Sequence, residues 1–149
     1  MKFLILNGPN LNLLGIREPE IYGRRDYDAL VKQITSHASS RGAEVSFVQS
    51  NHEGALIDAI QQAYFDRMDG IVFNPGGYTH TSVALADAVK AVGIPTVEVH
   101  LSDPMKREPF RHVSFVRDVC VKTFAGLGFD GYTAALDYLI EQNNVDGKN

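Results

Sequence analysis

The chain has little of what would commit it to the more specialised chemistries. Cys120 is its only cysteine, so neither an internal disulfide framework nor a thiolate metal cluster can be built. That cysteine lies in a hydrophobic run and reads as a small buried residue. Positive charge is not in excess: the formal net charge is -4 at pH 7, whereas nucleic-acid binders usually carry a basic field. No apolar run approaches the ~18 residues of a membrane span. The opening residues lack the basic region, apolar stretch and cleavage site of a secretory leader, so a cytoplasmic location is expected. Neither Walker A nor dinucleotide-binding glycine spacing is present, and there are no repeats or linkers. What remains is an ordinary globular composition, 44% hydrophobic and 21% charged, in a length that suits one domain over residues 1–149.

Apolar runs and helical periodicities alternate along the chain. Lys2 to Leu6, Glu44 to Gln49, Ile71 to Asn74 and Thr96 to Leu101 read as strands, and a fifth is expected within Val119 to Ala125. Between them, Asp26 to Arg41 carries Tyr27, Leu30, Val31, Ile34 and Ala38 on one helical face, with Gly42 closing it. Glu53 to Arg67 forms a second helix, and a third, capped by Thr81 or Ser82, runs to about Val92. A last helix follows Gly128, with Tyr132, Ala135, Leu136, Leu139 and Ile140 on its stripe. The tail from Asn143 is polar. Such alternation predicts right-handed crossovers and an α/β fold: a flavodoxin-like three-layer sandwich, its five-stranded parallel sheet covered by helices on both faces. Ligands of such sheets bind beyond the carboxyl ends of the strands, near the topological switch point.

The unusual residues fall where that rule places a site, after strands one, three and four. A loop of about twenty residues follows the first strand, longer than a plain connection needs, and it holds Asn10, Arg17 and Tyr22 among glycines and prolines. An arginine beside Tyr22 would favour tyrosinate; a packed loop aromatic with Arg17 stacked on it is the other reading. After strand three comes Asn74-Pro75-Gly76-Gly77-Tyr78-Thr79-His80-Thr81-Ser82, either an anion cradle at a helix N-terminus or a glycine-rich capped turn. Glu98 and His100 are two apart on strand four and so share a face. They read as an acid whose imidazole is held by the carboxylate, or as a paired core histidine. Zinc on His80 and His100 lacks a third ligand at recognisable spacing. Arg107 and Arg111 follow in a polar loop, Ser102 to His112.

Five ordered stretches then carry a resemblance: NGPNLNLLGIREPEIYG, SNHEGALIDAI, FNPGGYTHTSVALADA, VEVHLS and REPFRH. Together they cover essentially the whole chain and resemble type II 3-dehydroquinate dehydratases. The resemblance implies a cofactor-free and metal-free lyase converting 3-dehydroquinate reversibly to 3-dehydroshikimate through an enolate, assembled as a dodecamer built from four trimers. It implies Tyr22 as base, Arg17 as its activator, Asn10 as the amide placing a water at the enolate oxygen, and His100 as acid held by Glu98. Asn74, His80, Arg111 and the Leu101–Ser102 backbone would bind substrate, Arg107 would belong to a mobile lid, and Asp87 would reach the neighbouring subunit's site. None of the five stretches contains a lysine, so an imine route is not expected. A non-catalytic flavodoxin-like binding module is the rival. The chain departs from the family pattern at Val113, Ser114 and Phe115 and in the charged segment after them, a change expected to touch the lid's far end and the fifth strand rather than the catalytic positions.

Overall fold

The computed structural model describes residues 1–16, 18–22 and 24–147, Tyr22 by its backbone alone. Its strands are β1 (Lys2–Asn7), β2 (Glu44–Gln49), β3 (Gly70–Asn74), β4 (Thr96–His100) and β5 (Lys122–Ala125). The helices are α1 (Pro19–Tyr22), α2 (Tyr27–Ser40), α3 (Glu53–Phe65), α4 (Val83–Val92) and α5 (Asp130–Asp146), with single-turn helices between them. All pairings are parallel, in the order β2-β1-β3-β4-β5, the doubly wound arrangement expected.

Alternation along the strands separates two cores. Phe3, Ile5, Val72, Val97 and Val99 meet Leu30 and Ile34 of α2 and Leu136, Leu139 and Ile140 of α5. Leu4, Leu6, Ile71 and Phe73 meet Leu56 and Ile60 of α3 and Leu85 and Val89 of α4 on the other face. Each wholly buried leucine or isoleucine contributes about 2 kcal/mol. Helix starts follow the capping residues: Asp26 accepts from the Ala29 amide at 2.9 Å, and Ser82, rather than Thr81, accepts from the Leu85 amide at 3.0 Å. The Ser82 hydroxyl also donates to Glu53 Oε2 at 2.6 Å, which ties the start of α4 to the start of α3.

Differences from the sequence-based expectation are local. The long first loop is not structureless: it makes a single turn at Leu11–Leu13 and the short helix α1. β5 lies within the expected Val119 to Ala125, at Lys122–Ala125; ahead of it Arg117–Val119 coil into a helical turn, the Val116 and Arg117 carbonyls accepting the Val119 and Cys120 amides.

Candidate active site

The site lies where the sheet order reverses, between β1 and β3. Their loops close on each other through backbone: the Gly8 amide donates to the Asn74 carbonyl at 2.8 Å. A Cβ at Gly8 would stand 2.3 Å from the Pro75 carbonyl oxygen, so only glycine permits this approach. Asn10 has a left-handed φ of 69°. Its amide is held by Asn51 Oδ1 at 3.0 Å, Gln49 Nε2 holds the Gly8 carbonyl at 3.1 Å, and Tyr78 donates to the Asn51 carbonyl at 3.0 Å. The end of β2 thus braces the first loop.

Beneath the loops runs a buried polar chain. Asn7 and Asn74 are register partners at the ends of β1 and β3. The Tyr132 hydroxyl of α5 donates to Asn7 Oδ1 at 2.6 Å and accepts from Asn74 Nδ2 at 2.9 Å. Asn7 Nδ2 in turn donates to the Tyr27 hydroxyl at 3.2 Å, and Asn74 Oδ1 accepts the Gly76 amide at 3.1 Å. Burial raises both phenols above their ordinary values, so they stay neutral donors and acceptors. Asn74 is therefore locked from below before any ligand arrives.

At the end of β4 the two-residue spacing does what the pattern requires. His100 Nε2 donates to Glu98 Oε2 at 2.7 Å, with the carboxylate wholly buried. Burial pushes the Glu98 carboxyl up, but the hydrogen bond and charge of His100, then the Ser114 and Thr123 hydroxyls, outweigh it and hold the carboxyl down at about 2. Ser114 Oγ donates to Oε2 at 2.7 Å and Thr123 Oγ1 to Oε1 at 2.9 Å, while Arg117 Nε stands 3.5 Å from Oε1. An anchored, ionised carboxylate on Nε2 fixes the imidazole ring and leaves Nδ1 for the pocket. Here the expectation about the divergent segment needs correcting. Ser114 and Arg117 belong to it and touch the acid pair directly, because the chain doubles back under β4 before entering β5.

A cavity of about 260 Å³ opens above these groups. Asn10, Asn74, His80, His100, Leu101, Ser102 and Arg111 line it, along with Arg107. No carboxylate is among the described lining residues, a balance that suits an anionic ligand. His80 Nδ1 donates to the Val113 carbonyl at 2.7 Å, which leaves Nε2 for the cavity. Its protonation is pushed below the ordinary range chiefly by burial, against the Val113 hydrogen bond, which raises it. Val113 takes part in this bond through its backbone carbonyl alone. Arg111 is aimed by a 2.7 Å bond to Glu108 Oε2, and Arg107 lies 3.6 Å from Glu18 Oε2 of the first loop. The Ser102 and Leu101 carbonyls accept the Gly126 and Gly128 amides at 3.2 and 3.0 Å, fixing the turn at the strand's end.

The structure thus brings together seven of the expected site residues around one cavity, with Glu98 behind them. Asp87 is exposed on α4 and outside the lining. Arg17 and the Tyr22 side chain lie outside the described residues. Among the described residues no cluster of three His, Cys, Asp or Glu is placed to hold a metal ion, and no helix is long and apolar enough to cross a membrane. Sequence reasoning missed Asn7, Asn51, Tyr132, Ser114 and Arg117. The paired asparagines ending β1 and β3 were the visible signal for the first of these.

Fold and site together define a flavodoxin-like α/β protein with a cationic, amide-lined pocket at its switch point and an oriented imidazole–carboxylate pair within it. A family model described as dehydroquinase class II matches residues 1–140. The chain belongs to that family. It is 50% identical over 143 residues to a 3-dehydroquinate dehydratase of Lachnoclostridium phytofermentans, covering 96% of this chain and 99% of that one. A 3-dehydroquinate dehydratase of Caldicellulosiruptor bescii is 52% identical over 140 residues, covering 94% and 97%. The crystal structure of a type II dehydroquinase from Butyrivibrio crossotus superposes with a TM-score of 0.93 at 52% identity, covering 94% and 97%.

Proposed function

We propose that this chain is a hydro-lyase that dehydrates 3-dehydroquinate reversibly to 3-dehydroshikimate through an enolate, without a cofactor and in the cytoplasm. The observation that carries the proposal is the Glu98–His100 pair, buried at its carboxylate end and opening at its imidazole end on a cavity with no described acidic lining. Such a pair is suited to passing a proton to a leaving hydroxyl.

In this scheme Tyr22, with Arg17 beside it, removes the proton next to the ketone, and the electron pair moves onto the ketone oxygen. Asn10 places a water at that oxygen. The enolate then collapses: its electrons form the carbon–carbon double bond, the hydroxyl at the β carbon leaves, and His100 supplies the proton that makes it water. Arg111, His80, Asn74 and the Leu101–Ser102 backbone hold the substrate's carboxylate and hydroxyls. The arginine and histidine of the lining suit a carboxylate, and the locked Asn74 suits a hydroxyl. Asp87 completes a neighbouring subunit's site in a dodecamer built of trimers. Its exposure away from its own cavity supports this role, as do the exposed rings of Tyr64 and Phe65 on α3, apolar surface of the kind a second copy covers.

Dehydration creates a conjugated enone carboxylate, so an ultraviolet assay with 3-dehydroquinate tests the scheme directly. Absorbance should rise with the native protein, and Tyr22→Phe should lower the rate by at least a hundredfold, the lower range of a lost general base. Equal rates would remove Tyr22 from its role. No rise in folded native protein would overturn the activity and leave a binding module.

A further inference from the structure

Four groups converge on the two oxygens of Glu98. Oε2 takes the His100 and Ser114 hydrogen bonds, both at 2.7 Å. Oε1 takes the Thr123 hydroxyl at 2.9 Å and faces Arg117 Nε at 3.5 Å. Ser114 and Thr123 bring dipoles, whereas Arg117 brings a full charge that never titrates at working pH. The Arg117 backbone amide donates to Ser114 Oγ at 3.2 Å, so the hydroxyl on Oε2 and the cation on Oε1 belong to one turn. Other charged or titratable groups surround the pair. His80 and Arg111 lie across the cavity, Arg107 is in its lining, and Cys120 is close enough behind for the Glu98 charge to reach it.

We infer that Arg117 is a positioning residue of the acid pair: it fixes Glu98 Oε1 and shares its charge, so that His100 releases its proton more readily. The inference rests on the dehydratase reading above. A carboxylate beside an imidazole favours the imidazolium, and the more of the negative charge the imidazole sees, the more tightly it keeps its proton. A guanidinium on the far oxygen takes part of that charge away. Glu98 stays ionised and oriented, and the imidazolium becomes a stronger acid towards a leaving hydroxyl. The side chain of Arg117 is 41% exposed, so solvent weakens the effect without abolishing it.

The test compares the assembled native enzyme with Arg117→Gln and Arg117→Lys. Rates are followed against pH with 3-dehydroquinate, and the histidine rings by proton–nitrogen NMR, with the His100 signals assigned by their loss in His100→Asn. In the glutamine variant the His100 ring titration and the alkaline limb of kcat should both move to higher pH. At neutral pH kcat should fall about twofold, with KM unchanged within error. The lysine variant should move both back towards native values. Ring titrations that superimpose in all three proteins would overturn the inference. A native protein that titrates as expected but turns over no substrate would instead overturn the dehydratase reading, since the NMR comparison needs no activity.

Discussion

Removing one oxygen atom, in Tyr132→Phe, should weaken the protein more than most single substitutions. The hydroxyl is completely buried and bonded on both sides, to Asn7 at 2.6 Å and Asn74 at 2.9 Å. A phenylalanine ring fills the same space, so cavity formation contributes little. What is lost is the partner of Asn7 Oδ1 and of one Asn74 N–H, both sealed from water. Each buried polar group left without a partner costs about 1–3 kcal/mol, so the pair should cost about 3 kcal/mol. In a protein of this size that corresponds to a fall in Tm of about 10 °C. Urea titrations of both proteins at one fixed concentration measure the loss on a common scale. Asn74 also holds the Gly76 amide, so the substitution should raise KM for 3-dehydroquinate as the cavity floor loosens. A stability loss below about 0.5 kcal/mol, the noise level of ordinary surface changes, would refute the reasoning by showing that the amides find other partners.

Two further outcomes follow from the same site. Glu98 has its carboxyl held near 2 when folded, below its ordinary 4.5, so it contributes stability above pH 4.5 that disappears as pH falls towards 2. The contribution is about 3 kcal/mol, and Glu98→Gln should flatten the acid limb of a stability-against-pH curve; an unchanged slope between pH 5 and pH 2 would contradict it. Gly8→Ala places a methyl group 2.3 Å from the Pro75 carbonyl, so the β1 and β3 loops must separate. Circular dichroism should show a loss of at least about 2 kcal/mol in stability, as for overpacked sites, with activity falling further than stability alone explains.

Much of the frame was legible because it rests on short-range periodicity. The two-residue repeat put Glu98 and His100 on one face, and the alternation of strands with helices dictated a parallel sheet with its site above β1, β3 and β4. Contacts between distant segments left no such trace. Tyr132 looked like one more apolar position on the stripe of α5, and its hydroxyl acquires meaning only where that helix crosses β1 and β3. Asn51 stands just ahead of α3 with nothing in its spacing to show that its side chain holds the backbone amide of Asn10. Arg117 sat in a segment that looked merely more charged than its surroundings, because nothing in its spacing reveals that the chain returns beneath β4.

The bond between Tyr132 and Asn7 joins residues 125 apart, almost the two ends of the chain. Synthesis proceeds from the first strand onwards, so β1 and β3 leave the ribosome well before the helix that completes their amides. Until α5 docks, Asn7 and Asn74 have water rather than a phenol for company, and the pocket floor they support is unfinished. Full catalytic geometry therefore waits on α5, and a chain cut short before Asp130 loses both the floor of its pocket and one side of a hydrophobic core.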